Sequence, residues 1–67
     1  MSYKLKINEW SECVPYPDQE SVVADSDQEA IRKARESLVQ RKTQSGRKIT
    51  AILNEGERTI AHFSFQA

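Results

Sequence analysis

The sequence predicts an α+β fold in which a small antiparallel sheet of three to four strands carries one helix on one face, in the order β-β-α-β-β. One amphipathic segment with helix-capping residues lies near the middle of the 67-residue chain. Segments in which apolar and polar residues alternate flank it on both sides, as in strands with one buried face. We expect a chain of this length to form a single domain, residues 1–67.

The helix is predicted mainly from its ends. Ser26 and Glu29 form the S-x-x-E pattern of a capping box. Gly46 is suited to end a helix in the left-handed conformation, so we expect the helix to begin near Ser26 and to end near Gln44. Apolar residues at helical spacing form one stripe along this segment, namely Ala30, Ile31, Ala34 and Leu38.

The strands are predicted from apolar residues at every second position. Val22 and Val23 form a short β-branched pair just before the helix. Residues 11–20 include Pro15 and Pro17, and we expect them to form a long connection. The alternating apolar positions of the other strands are Tyr3, Leu5 and Ile7, then Ile49, Ala51 and Leu53, then Ala61, Phe63 and Phe65.

The turn between the last two strands is predicted at residues 54–56. A three-residue loop would pair Leu53 with Glu57 and place Gly56 at the left-handed position that such loops use. The aromatic residues Phe63 and Phe65 then share a face with the apolar residues of the preceding strand. A shift of the strand register by one residue would expose both phenylalanines, so their burial favours the register that the three-residue loop gives.

Composition bears on location and on chemistry. The chain has one cysteine, Cys13, which excludes an internal disulfide and is typical of a reducing compartment. It has no apolar run of the length that a signal peptide or a membrane span needs, so we expect a soluble, cytoplasmic protein without membrane association.

Catalytic and metal-binding patterns are weak in this sequence. Cys13 and His62 are the only pair that resembles a thiolate and its base, and no third residue is placed to orient them. A structural zinc site needs about four cysteine or histidine ligands. We therefore expect no enzymatic activity and no cofactor.

The leading functional hypothesis is binding to another protein. One helix covers one face of a sheet, and the opposite face is expected to be too apolar for solvent. Tryptophan is a frequent interface anchor. We expect this face to bind a second copy in a homodimer, or a larger protein, with the connection after Cys13 at its rim. The predicted interface residues are Trp10, Tyr16, Ile52, Ile60 and His62.

The alternative hypothesis is a weak nucleic-acid-binding accessory module. Residues 1–30 contain two basic and seven acidic residues, whereas residues 31–67 contain eight basic and three acidic residues. No aromatic residue is interleaved with the basic ones on the helix and the following turn, so we expect no nucleic-acid partner. The basic residues of this alternative are Arg32, Lys33, Arg35, Arg41, Lys42, Arg47 and Lys48.

In length and in this layout of elements, the chain resembles small phage-encoded inhibitor proteins, anti-CRISPR proteins among them, and also many bacterial domains of one helix on a sheet. The resemblance rests on size and topology, and it assigns no residue a role. It implies a phage-type inhibitor that acts by binding.

Overall fold

A computed structural model describes residues 2–65, and it has the expected α+β architecture in the order β-β-α-β-β. All neighbouring strands pair antiparallel in one sheet, in the spatial order β2-β1-β3-β4. The helix connects β2 to β3, so this connection crosses β1. The elements are β1 Ser2–Ser11, β2 Val14–Val23, α1 Asp27–Ser45, β3 Lys48–Glu55 and β4 Arg58–Phe65.

The predicted helix is confirmed, including both caps. The Ser26 side chain accepts a hydrogen bond from the Glu29 backbone N–H at 3.2 Å. Glu29 in turn accepts from the backbone N–H of Asp25 at 3.4 Å, one residue before the cap. Gly46 ends the helix with φ +68°, and its N–H donates to the Lys42 carbonyl oxygen at 2.7 Å.

The core lies between α1 and one face of the sheet. Ala30, Ala34 and Leu38 are buried on the helix, and Ile31 packs beside them. Because two of these residues are alanines, the helix axis can lie close to the sheet. The sheet contributes the buried residues Tyr3, Leu5, Ile7, Val22, Ile49, Ala51, Leu53 and Phe63.

The prediction that residues 11–20 form a long connection is wrong. Residues 14–23 form the ten-residue strand β2, which a two-residue turn joins to β1. Pro15 and Pro17 are accommodated because β2 is an edge strand with a neighbour on one side only. Two prolines at alternate positions can both turn their nitrogen away from that neighbour.

The predicted turn is also displaced, although the shared face is correct. The strands close at Glu55 and Arg58 around a two-residue turn that starts at Gly56, with φ +60°. A β-bulge then shifts the register between Leu53 and Asn54, so Leu53 pairs with Ala61 and not with Glu57. Phe63 is buried and Phe65 is half-buried, as their alternation predicts.

Candidate protein-binding face

The sheet face opposite α1 is not covered by any other element of residues 2–65, and we call it the open face. The strand registers place alternate residues on it, and the exposed positions of β1 and β3 follow the same alternation. The open face comprises Ser2, Lys4, Lys6, Asn8 and Trp10 of β1, Pro15, Pro17, Gln19, Ser21 and Val23 of β2, Lys48, Thr50, Ile52 and Asn54 of β3, and Thr59, His62 and Ser64 of β4.

Three of the five predicted interface residues lie on this face. Trp10 is half-buried at one end of β1, and its indole N–H donates to the Thr50 hydroxyl at 3.0 Å. Ile52 is 38% exposed near the centre of the sheet, and the exposed His62 is its cross-strand neighbour. A shallow depression of about 440 Å³ lies here, lined in part by Lys6, Asn8, Thr50, Ile52, His62 and Ser64.

Ile60 does not lie on the open face, which corrects the prediction. The bulge opposite Leu53 gives β4 one extra residue, so Ile60 and Ala61 both pack against the core beneath the helix. A bulge places two consecutive residues on the same side of a sheet, which alternation alone does not anticipate.

Tyr16 also lies on the opposite side of the sheet from the other predicted residues. It pairs with Glu9 and shares the helix side with that residue. Tyr16 is 51% exposed, and the Arg47 guanidinium carbon lies 5.6 Å from the ring centroid, within the range of a cation–π contact.

Charge distinguishes the open face from the rest of the molecule. Lys4, Lys6 and Lys48 are exposed on it, and they form no ion pair with another residue of the described range. Among its residues between positions 2 and 65 there is no aspartate or glutamate. This feature is not evident from the sequence, because Lys4 and Lys6 belong to the acidic half of the chain.

The carboxylates gather on the helix side of β1 and β2, around Arg41. The Arg41 guanidinium donates to Glu20 at 2.7 Å, to Asp18 at 2.8 Å and to Glu9 at 3.5 Å. The Ser37 hydroxyl adds a hydrogen bond to Glu20 at 2.6 Å. We call Glu9, Asp18, Glu20, Ser37 and Arg41 the Arg41 network.

The network changes the acidity of its members. The Arg41 guanidinium, with the Gln19 backbone N–H, lowers the pKa of Asp18. Burial opposes ionisation of Glu20, but hydrogen bonds from Ser37 and Arg41 outweigh it and lower the pKa of that carboxyl. Hydrogen bonds to Glu20 in turn raise the pKa of Arg41.

A second polar cluster joins the start of α1 to the sheet. The buried Tyr3 hydroxyl donates to Asp27 at 2.8 Å, and burial together with this carboxylate raises the pKa of Tyr3 to about 12. Arg58 donates to Glu55 at 2.6 Å and to Asp27 at 3.4 Å. These contacts account for further acidic residues on the helix side, away from the open face.

The basic residues of the nucleic-acid alternative do not form one surface. Arg32 pairs with Glu36 at 2.9 Å, and Lys33 pairs with Glu29 at 3.2 Å. Arg41 belongs to the network described above, and Arg47 stacks on Tyr16. Lys48 lies on the open face, whereas Arg35 and Lys42 lie on the helix without a described ion-pair partner.

The two residues considered for nucleophilic catalysis are far apart. Cys13 lies in the turn beyond Ser11, whereas His62 lies in the same row of the sheet as Lys6. At about 3.4 Å per residue, this row is roughly 17 Å from the end of β1. A thiolate–imidazole pair is therefore excluded in this fold.

Residues 2–65 contain no group of three or more histidine, cysteine, aspartate or glutamate side chains placed to hold a metal ion. Within the same range, no helix combines the length and the apolar character needed to cross a membrane. No protein-family model matches the chain, and no curated protein or solved structure is significantly similar to it.

Proposed function

We propose that this chain is a non-enzymatic protein-binding module that docks on a larger protein through the open face. The observation that carries the proposal is the composition of that face: the exposed Ile52 at its centre, Trp10 at one end, and three lysines without a carboxylate. An apolar centre within a polar surround is the usual anatomy of a protein interface.

The charge of the open face favours an acidic partner over a second copy seated face to face. Such a homodimer would bring two sets of Lys4, Lys6 and Lys48 together with no carboxylate between them. Like charges brought together at an interface cost free energy and select against that pairing. A partner with acidic residues around an apolar site complements the same face.

A protein is favoured over a nucleic acid because the face offers a poor stacking surface. Proteins that hold single-stranded nucleic acid present exposed aromatic rings along the strand path. Here the central position is the aliphatic Ile52, while Trp10 is half-buried at the end of β1 with its N–H bonded to Thr50. The resemblance of the chain to small phage-encoded inhibitor proteins implies one form of this function, inhibition of a larger protein by occupying its surface.

Affinity capture from the native host tests the proposal with a matched pair of variants. Ile52→Glu places a carboxylate at the centre of the open face. Val39→Glu makes the same change on the outer surface of α1, where Val39 is 45% exposed. Both variants replace an exposed aliphatic side chain, so we expect both to fold as the wild type does, which circular dichroism checks.

We expect the wild type and Val39→Glu to retain the same protein and Ile52→Glu to lose at least nine-tenths of it. A roughly tenfold loss corresponds to about 1.4 kcal/mol, which is typical for disruption of a central interface residue. Equal retention by both variants would contradict the assignment of the open face. Retention that disappears on nuclease treatment would favour the nucleic-acid alternative.

A further inference from the structure

The two edges of the sheet differ in their protection against pairing with another strand. At the β2 edge, Ser11 and Val14 close a two-residue turn, so they form a hydrogen-bonded pair. Such pairs alternate with non-bonded ones, which are the pairs that contain Pro15 and Pro17. Both proline nitrogens therefore face outward, where they remove two N–H donors from the edge.

The β4 edge lacks this protection. Between Thr59 and Phe65 it contains no proline, lysine, arginine or carboxylate. The same alternation, followed across β1 and β3, directs the backbone groups of Phe63 and Phe65 toward β3. The N–H and C=O groups of His62 and Ser64 then face outward, as an edge strand open to a further strand.

We propose that β4 pairs antiparallel with β4 of a second copy, so that two chains form one eight-stranded sheet. The bulge at Ile60 limits the register. Pairing His62 with His62 would set Ser64 against the bulge, where the ladder is disrupted. Pairing His62 with Ser64 of the second copy also pairs Ser64 with the second copy's His62. The outward-facing backbone groups of both residues are then paired within regular strand.

This register also matches the side chains across the two-fold axis. Phe63 meets Phe63 of the second copy in a non-bonded pair, the arrangement in which cross-strand side chains approach most closely. Phe65, which is half-buried in one chain, meets Ala61 of the second copy. The apolar layers beneath the two helices become continuous across a shared edge whose residues from Thr59 to Phe65 include no aspartate, glutamate, lysine or arginine.

The geometry leaves the open faces free. An edge-to-edge dimer has its two-fold axis perpendicular to the sheet, so both helices lie on one side and both open faces on the other. The lysines of the two chains are then side by side and not opposed. The dimer therefore presents two copies of the open face to one partner surface, although the edge pairing does not depend on that function.

Two proline variants provide a matched test by size-exclusion chromatography with light scattering. Ser64→Pro removes an outward N–H from the β4 edge, whereas Ser21→Pro removes one from the β2 edge. We expect twice the mass of one chain for the wild type and for Ser21→Pro, and the mass of one chain for Ser64→Pro. A wild type that stays monomeric at every concentration, or a Ser64→Pro variant that remains dimeric, overturns the proposal.

A disulfide variant tests the register without depending on the proline variants. In the proposed pair, the Cα atoms of residue 62 and of residue 64 in the second copy are about 5.5 Å apart, within disulfide range. We expect Cys13→Ser/His62→Cys/Ser64→Cys to form a covalent dimer on mild oxidation. Reaction with added glutathione disulfide shows that the introduced thiols are accessible. If they react with it but form no covalent dimer, the register is contradicted.

Discussion

At the scale of single residues, Glu12 carries the clearest backbone strain. It is the one non-glycine residue with positive φ among residues 2–65, at +58°, in the turn between β1 and β2. The other hairpin places Gly56, with φ +60°, at the equivalent first position of its two-residue turn. Such turns favour glycine because a Cβ atom is disfavoured in the left-handed region.

We expect Glu12→Gly to raise the free energy of unfolding by about 0.5–1 kcal/mol. The substitution relieves the backbone strain, and part of that gain is lost because glycine has more conformational freedom in the unfolded chain. Gly56→Ala, the reverse change at the matching position, is expected to lower it. Midpoints of urea denaturation measure both effects. A lower midpoint for Glu12→Gly would show that the turn is not strained.

Ile60 shows which residues sequence periodicity places incorrectly. Alternation assigns it to the open face, but the structure packs it against the core. A two-residue turn at Gly56 alone would have put Phe63 and Phe65 on the wrong face, and the bulge restores them. Either a longer loop or an extra residue within the strand gives the same parity, so the sequence could not separate the two.

At the scale of elements, α1 was predictable, whereas of β2 only the end at Val22 and Val23 was. The helix follows from local signals, because Ser26 caps the backbone N–H of Glu29 and Gly46 donates to the carbonyl oxygen of Lys42, each within four residues of itself. Strand β2 contains two prolines and polar residues toward the helix, Asp18 and Glu20, in place of apolar ones. Its stability depends on pairing with β1 and on contacts with Arg41, which is 21 residues from Glu20, and the alternation of apolar residues predicts neither.

The Arg41 network takes the place of apolar packing between α1 and β2, and this makes stability depend on pH. The folded state lowers the pKa of both Asp18 and Glu20 from ordinary values of 3.8 and 4.5. Groups with a depressed folded pKa stabilise the protein above those values and cease to do so as the pH falls through the depressed pKa. We therefore expect stability to decrease below about pH 4.

Arg41→Ala is expected to lower the free energy of unfolding by about 1–3 kcal/mol at neutral pH, because it removes the guanidinium that donates to the partly buried Glu9 and Glu20. The same variant should also show a smaller loss of stability below pH 4 than the wild type. Arg32→Ala, which breaks the exposed pair with Glu36, is the control and should change little. Chemical denaturation between pH 3 and pH 7 measures the free energy of unfolding of both variants. If that free energy decreases below pH 4 in Arg41→Ala as steeply as in the wild type, the role of the network is contradicted.

At the scale of the whole molecule, folding reorganises the charge that the sequence presents. Along the chain, acidic residues come first and basic ones later. In the fold, the acidic residues of β1 and β2 lie on the helix side with Arg41, while Lys4, Lys6 and Lys48 lie on the open face. Trp10, Ile52 and His62 were predictable as part of this face, but its uniformly basic charge needed the strand register.

Site-specific photocrosslinking tests the central proposal, binding through the open face, most directly. A photoreactive phenylalanine analogue at Asn8 reports on that face, and the same analogue at Arg35 reports on the exposed surface of α1. In the native host, we expect Asn8 to yield a covalent adduct with one larger protein, and Arg35 to yield none. Adducts from Arg35 with none from Asn8, or adducts from neither position, would contradict the proposal.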